Sequence, residues 1–336
     1  MKVFEIQNTF GLDSLTLTER PDPNPGYGQI LIKLRAVSLN YRDLMVVKGL
    51  YNPKLPLPRI PFSDGVGEVV AVGEGLTRVK SGDRVASIFF QKWLAGELTA
   101  EKADSALGGA IDGMLAEYVV LHEDGVVHVP EHLTDEQAAS LPCAAVTAWN
   151  ALFTSGGVKA GDTVLVQGTG GVSIFALQFA LLAGAKVIAT SSSDEKLEQV
   201  AGLGATDTIN YKQNPQWGKQ VRELSAGNGV DYVVEVGGAG TLNESLRAVR
   251  YGGQISLIGV LTGGSGEIAT ASILRKNVRV QGIYVGSREM FEAMNRAIAL
   301  HKLQPVVDRV FPFHEAREAL KYMESGSHFG KICIRF

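Results

Sequence analysis

The stretch that decides the fold is Thr163-Val164-Leu165-Val166-Gln167-Gly168-Thr169-Gly170-Gly171-Val172-Ser173. Its first five residues are an apolar, largely β-branched run, which reads as a buried strand. Glycines follow at once, and an apolar helix is predicted over Ile174 to Ala183. A glycine turn between a strand and a helix is the setting of a dinucleotide-binding loop. Gly168, Thr169, Gly170, Gly171 and Val172 would bring backbone close to a pyrophosphate. The helix N-terminus would offer it free N–H groups and a positive dipole end. Ser173 departs from G-x-G-x-x-G, standing where the third glycine would pack helix on strand. Serine is small enough to be tolerated there. The competing reading is a plain strand-to-helix turn.

Outward from this loop, strands and helices alternate. Lys186 to Thr190, Thr208 to Asn210, Asp231 to Glu235, Gln254 to Ile258 and Arg279 to Tyr284 read as strands. Helical segments near Glu195 to Leu203, Trp217 to Leu224 and Thr241 to Val249 separate them. This rhythm predicts βαβ units and a doubly wound parallel sheet. The second strand ends in Thr190-Ser191-Ser192-Ser193, where an acid would bind the ribose 2′-hydroxyl of NAD. Ser191 and Ser192 repel a 2′-phosphate less than an acid would, and Lys196 could pair with it as a point charge. Asp194 and Glu195 argue the other way, although acids also suit a helix's first turn. The balance favours NADPH over NADH.

The first 125 residues carry short β-rich runs instead: Gln29 to Leu34, Gly67 to Val72, Arg84 to Ile88 and Ala116 to Leu121. Turn chemistry between them predicts an antiparallel barrel or sandwich. One helix-like piece, Tyr41 to Val47, interrupts them, and the irregular segment 91–113 reads as an inserted lobe or lid. The tail, with helices over 288–300 and 314–324 and strands over 306–311 and 331–335, returns to a mixed pattern. The expected domains are therefore 1–127 rejoined by 287–336, and 128–286.

Composition excludes other classes. Among 336 residues the net charge is −3, so there is no basic excess for nucleic acid. The longest apolar stretch, Ile174 to Ala185, falls short of the roughly 20 residues a membrane span takes. Two cysteines, Cys143 and Cys333, exclude a disulfide scaffold and fit a reducing cytoplasm. The N-terminus shows no signal-peptide pattern.

Several runs together resemble the medium-chain dehydrogenase/reductase superfamily over essentially the whole chain. They are Asn40-Tyr41-Arg42-Asp43, PFSDGVGEV at 61–69, Gly82-Asp83-Arg84-Val85, LPCAAVTAW at 141–149, the loop at 168–173, Ile209-Asn210-Tyr211, DYVVEVG at 231–237 and Phe329-Gly330-Lys331. The resemblance implies a GroES-like β-rich substrate domain, a Rossmann domain, and nicotinamide held between them. Zinc members of the superfamily keep ligands at positions that here are Asn40, Ser63 with Asp64, and Cys143. Asn40 and Ser63 are not competent ligands, and one thiolate with one carboxylate falls short of the usual three. No zinc is expected, and Cys143 reads as a small apolar residue beside the nicotinamide.

The chain is thus similar to the zinc-independent, quinone oxidoreductase-like branch. That likeness implies catalytic roles around Asn40, Tyr41, Asp43 and Tyr51. It implies cofactor contacts at Thr147, Tyr211, Gly237, the loop Gly259-Val260-Leu261, and Lys331 near the cofactor phosphates. Arg42 departs from the alcohol dehydrogenases, which keep a proton-relaying hydroxyl there. Without a Lewis acid, hydride transfer is easiest to an electrophilic acceptor, a quinone or an activated alkene. Asn40 could donate to the acceptor oxygen. Tyr41 or Tyr51 would either donate a proton or wall the pocket, and Asp43 would orient neighbours. The alternatives are an alcohol or aldehyde dehydrogenase, and an NADPH-binding sensor or interaction protein. A small-molecule substrate and a homodimer through the sheet edge at 279–284 are expected, with neither nucleic acid nor membrane as partner.

Overall fold

The computed structural model describes all of residues 1–336, which divide into two compact units. The first holds Met1–Val146 and Gly286–Phe336, the second Thr147–Val285. The first boundary lies beyond the expected residue 127. Residues 128–146 stay with the β-rich unit because their side chains are tied into it. Arg84 Nε donates to Asp135 Oδ1 at 2.7 Å, and Arg335 Nε to Glu136 Oε1 at 2.5 Å.

In the first unit, β1 (Lys2–Ile6) and β2 (Leu15–Glu19) form a small antiparallel ribbon. The main sheet takes β3 (Gln29–Ser38), β4 (Asp64–Val72), β5 (Arg84–Ser87), β6 (Tyr118–His122) and β7 (Val126–His128). On the central strand β3, Ile30, Ile32 and Leu34 face the core while Lys33 and Arg35 face water, the period-2 pattern of a half-buried strand. The segment 91–113 is a packed lobe. Trp93 is buried, and the Trp93 and Leu94 carbonyls accept from the Arg288 and Glu289 N–H groups, both at 3.0 Å.

The second unit is a six-stranded, all-parallel sheet. Its strands are β8 (Thr163–Gln167), β9 (Lys186–Ser191), β10 (Asp207–Asn210), β11 (Val230–Glu235), β12 (Val249–Leu257) and β13 (Arg279–Gly282). Their order, β10-β9-β8-β11-β12-β13, puts the topological switch between β8 and β11. The chain then returns to the first unit, where β14 (Val307–Pro312) and β15 (Lys331–Arg335) extend the sheet beside β3. No helix is long and apolar enough to cross a membrane.

At the switch point sits Glu235, wholly buried. Its carboxyl accepts from Gln167 Nε2 (2.7 Å), Thr241 Oγ1 (2.5 Å), the N–H groups of Gly237 (2.8 Å) and Gly238 (3.0 Å), and Ser245 Oγ. Gln167 Oε1 in turn accepts the Val236 N–H at 3.3 Å. Every neighbour donates, so the site demands an acceptor-only group. Glu235→Gln puts an NH₂ among donors. It is expected to cost about 3 kcal/mol or more, since each hydrogen bond to a charged group contributes about 1.5 to 3 kcal/mol. Thermal melting with and without cofactor checks this; an unchanged midpoint contradicts it.

Candidate active site

The dinucleotide loop has the geometry its residues imply. Gly168 has φ 71°, a left-handed conformation that suits glycine, and a Cβ at Gly168 or Gly170 would meet no protein atom within 4 Å. The helix Gly171–Leu182 starts from Gly170 without a side-chain cap, leaving its first N–H groups open to an anion. Ser173 justifies its departure from glycine: it is buried, and its hydroxyl donates back to the Gln167 carbonyl at 2.6 Å. The second unit therefore fits a dinucleotide phosphate.

Beside the loop, Ser191 ends β9, and its carbonyl accepts the Tyr211 N–H at 3.0 Å. Tyr211 keeps an exposed ring there. Ser193 caps the helix Asp194–Gly202 by accepting the Lys196 N–H, and Lys196 is half-buried in its first turn. Both oxygens of Asp194 are engaged, by Asn210 Nδ2 at 2.7 Å and Gln213 Nε2 at 3.0 Å. The loops after β11 and β12 are stitched together: Thr262 N–H and Oγ1 both donate to the Gly237 carbonyl, at 2.7 and 2.9 Å. Gly259 lies against the Val236 carbonyl so closely that a Cβ would come within 2.2 Å of it, while Val260 and Leu261 are exposed. Thr147 is buried in this unit.

The first unit gathers the other residues. Asn40 begins the helix Tyr41–Val47 in an extended conformation, and Asp43 follows as an acid in its first turn. Asn40 N–H donates to Asp43 Oδ2 at 2.8 Å, and Asp43 N–H to the Asn40 carbonyl at 2.9 Å. Arg42 is a clamp, which explains the absence of a relaying hydroxyl there. Its guanidinium lies 5.1 Å from the Tyr51 ring centroid and 4.7 Å from that of Phe89, and Nη1 donates to the Leu107 carbonyl at 2.7 Å. The 91–113 lobe is thereby fastened to this helix. Tyr41 and Tyr51 are both exposed.

Phe62 has φ 73° although wholly buried, a strained conformation for a bulky residue. Gly108 and Gly113 press on its backbone where any Cβ would collide. The strain turns the chain into Ser63 and Asp64 at the start of β4. Ser63 Oγ donates to Asp64 Oδ1 at 2.6 Å, and Cys143 N–H to Asp64 Oδ2 at 3.1 Å.

Lys331 corrects the sequence reading. It is 3% exposed, and its ammonium donates to the Leu39 carbonyl at 2.5 Å and Asn40 Oδ1 at 2.6 Å. Its charge is committed inside the first unit instead of reaching cofactor phosphates. The antiparallel register of β15 on β3, with Cys333 opposite Ser38, carries Lys331 to Asn40.

Burial pushes the Asp43 carboxyl up to about 7, against the pull of Arg42. Burial likewise raises Asp64, opposed by Lys331, Ser63, Asn40 and the Cys143 N–H, and raises the Cys143 thiol, helped by the charge of Asp64. Asn40 Nδ2, Arg42 Nε and Asp43 Oδ1 are among the polar atoms buried without a hydrogen-bond partner of normal geometry. Asp64 and Cys143 do come together, but no group of three or more His, Cys, Asp or Glu side chains is placed to hold a metal. The donor set does not fit a catalytic zinc.

The chain is similar over its length to known proteins. Residues 26–131 match the family described as alcohol dehydrogenase GroES-like domain, and 171–299 that described as zinc-binding dehydrogenase. A zinc-type alcohol dehydrogenase-like protein of Schizosaccharomyces pombe is 48% identical over 97% of this chain and 96% of its own. The chain belongs to the medium-chain dehydrogenase/reductase superfamily. Among solved structures, one from Sinorhizobium meliloti 1021 is 43% identical with a TM-score of 0.92, covering 100% of this chain and 98% of its own. Two mycobacterial structures, one a complex with NADPH and one of a quinone oxidoreductase, are each 28% identical and cover 100% of both chains, with TM-scores of 0.84 and 0.83. The two units are thus the GroES-like and Rossmann domains of an oxidoreductase of this superfamily.

The runs that hold Glu235 and Lys331 match family motifs, but the match gives Glu235 no role and gives Lys331 a different one. Glu235 gives a signal, an acid closing the apolar strand DYVVE. Asp43 generates a test. Its folded pKa of about 7 stands above the ordinary 3.8, so the folded chain holds a proton that the unfolded chain releases. Its contribution is full below about pH 4 and is lost as pH rises through about 7. Asp43→Asn keeps an acceptor for the Asn40 N–H and is expected to flatten the stability loss between pH 5 and 8 by on the order of 3 kcal/mol. Denaturant titrations of both proteins at the two pH values read this; parallel losses contradict it.

Proposed function

We propose that this superfamily member is a zinc-independent, NADPH-dependent reductase that delivers hydride to a quinone or an activated alkene. The observation that carries this reading is the side-chain set at Asn40, Ser63, Asp64 and Cys143. The family's catalytic-zinc positions hold an amide and a hydroxyl, and a buried ammonium bonds to the amide. Reduced nicotinamide, when bound, supplies the hydride. The chain's own part is to polarise the acceptor oxygen, for which the Asn40 NH₂ keeps a second hydrogen beyond the one Asp64 draws on, and to keep that amide rigid. Tyr41 and Tyr51, both exposed, would wall the acceptor or donate a proton.

An acceptor screen following reduced-nicotinamide absorbance tests the reading, with elemental analysis of the same sample. Enone or quinone reduction without stoichiometric zinc is expected. The name of the Schizosaccharomyces pombe relative favours a second reading, an alcohol or aldehyde dehydrogenase. One zinc per chain with alcohol oxidation lost to chelators would establish that instead. NADPH binding without turnover on any acceptor would point to a sensor.

The cofactor preference rests on Ser191, Ser192 and Lys196, and on Asp194, whose oxygens are already occupied. A charge-assisted hydrogen bond contributes roughly 1.5 to 3 kcal/mol, and partial exposure of Lys196 pulls its share to the lower bound. NADPH should bind at least about tenfold more tightly than NADH, less so at high salt. Lys196→Ala should weaken NADPH and leave NADH nearly unchanged; equal losses would show that Lys196 does not read the 2′-phosphate.

The proposal extends to a cytoplasmic homodimer. Strand β13 pairs only with β12, leaving an unpaired sheet edge for a second copy to cover. Light scattering at micromolar concentration reads the mass directly, a monomer overturning it.

A further inference from the structure

We propose that Lys331 is a positioning residue for the reduction: it commits the Asn40 amide to act as a donor toward the acceptor's carbonyl oxygen. This rests on the reductase reading above. An ammonium has three N–H groups and no acceptor. The Asn40 atom that it meets at 2.6 Å must therefore be the amide oxygen. The orientation of that amide, usually ambiguous, is dictated by chemistry here.

The rest of Asn40 is equally committed. Its backbone N–H goes to Asp43 Oδ2, its backbone carbonyl takes the Asp43 N–H, and its side-chain oxygen takes Lys331. Only Nδ2 is left, buried and without a partner of normal geometry, in a residue that is itself 9% exposed. Asp64 draws on this amide through a side-chain hydrogen bond, besides accepting from Ser63 Oγ and the Cys143 N–H, and of the two Nδ2 hydrogens one is left for an acceptor. A buried donor without a partner is costly, and an incoming oxygen satisfies it. Lys331 also withdraws electron density through the amide, which strengthens Nδ2–H as a donor.

In the reaction, the acceptor gains a hydride at its β-carbon. The alkene π pair forms the new bond between the α-carbon and the carbonyl carbon, and the carbonyl π pair moves onto oxygen, where Asn40 Nδ2–H meets the developing charge. The α-carbon then takes a proton from water, completing the saturated carbonyl compound. Lys331 touches none of the reacting atoms. The rival role for it is structural: neutralising Asp64 and bracing Leu39.

A spectroscopic probe separates the two roles. 4-(Dimethylamino)cinnamaldehyde absorbs further to the red as its aldehyde oxygen is polarised, and with NADP⁺ it cannot be reduced. The wild-type protein with NADP⁺ should shift this band to the red. Asn40→Ala and Lys331→Met should each abolish the shift and slow enone reduction by about 10²-fold, with NADPH affinity changed by less than about twofold. The double variant should be no worse than either single one. Additive losses, a shift kept in Lys331→Met, or no shift in the wild type would overturn the proposal. A wild type that shifts the band but reduces no enone or quinone overturns the reductase reading alone. The loss of the shift in Lys331→Met would then still support the Lys331–Asn40 assignment. If Lys331→Met is unfolded by circular dichroism, Lys331→Gln replaces it and should lose at least half of the shift, a full shift being the contrary result.

Discussion

A single buried carboxyl, that of Glu235, constrains the whole cofactor side of the molecule. It sits at the carboxyl ends of β8 and β11, the two strands between which the sheet order reverses. Parallel strands diverge there as their crossover helices leave on opposite faces, and backbone N–H groups would otherwise lack partners. Glu235 takes the Gly237 and Gly238 N–H groups on its own strand's exit and reaches β8 through Gln167. Gln167 is also the residue whose carbonyl holds Ser173 in the helix. One carboxyl thereby couples the glycine turn, the helix start and the loop after β11. The open N–H groups of the Gly171–Leu182 helix are useful to an anion only because this frame keeps them in place.

The β-rich unit solves a comparable problem with opposite charge. Lys331, Asp43 and Asp64 are all buried near Asn40, and taking such groups out of water is expensive. Buried ionic clusters are weak sources of stability, so the stability of the sheet comes from its apolar side chains, among them Ile30, Ile32 and Ile334. What the cluster provides is orientation. Each of its hydrogen bonds removes one freedom from Asn40, and the strained Phe62 fixes where Ser63 and Asp64 enter.

The legibility of these features in sequence follows their range. Strands β8 and β15 and the helices Tyr41–Val47 and Trp217–Leu224 have the bounds that their residue patterns predict. Each is set by local periodicity and turn residues. The ribbon of β1 and β2 and the three-residue β7 lie outside the expected strands: all are brief, and β7 pairs with β5 about 40 residues away. Segment 91–113 reads as an inserted lobe or lid for lack of periodicity, and what makes it a lobe is its hold on Arg42 and on the N–H groups of Arg288 and Glu289, contacts no local pattern encodes. The meeting of Asn40 and Lys331, 291 residues apart, depends on the register of β15 on β3. A motif match alone assigned Lys331 to phosphate; only register shows the ammonium facing inward.

The acids after β9 show how a local reading can mislead in the other direction. Asp194 follows the serine cluster closely enough to compete for a ribose hydroxyl on spacing alone. Its carboxylate, however, is spent on two side-chain amides, those of Asn210 and Gln213, at the far end of β10. Those bonds draw the β10 exit loop toward the helix Asp194–Gly202, and Tyr211 lies in that loop with its N–H on the Ser191 carbonyl. Were Asp194 to turn toward a ribose, both amides would lose their acceptor and the loop its tether. The acid therefore serves best as the anchor that keeps Tyr211 beside Ser191, and the other charges of that first turn are the carboxylate of Glu195 and the cation of Lys196. Glu195 is exposed while Lys196 is half-buried along the helix, which favours the cation as the group that meets an adenosine phosphate.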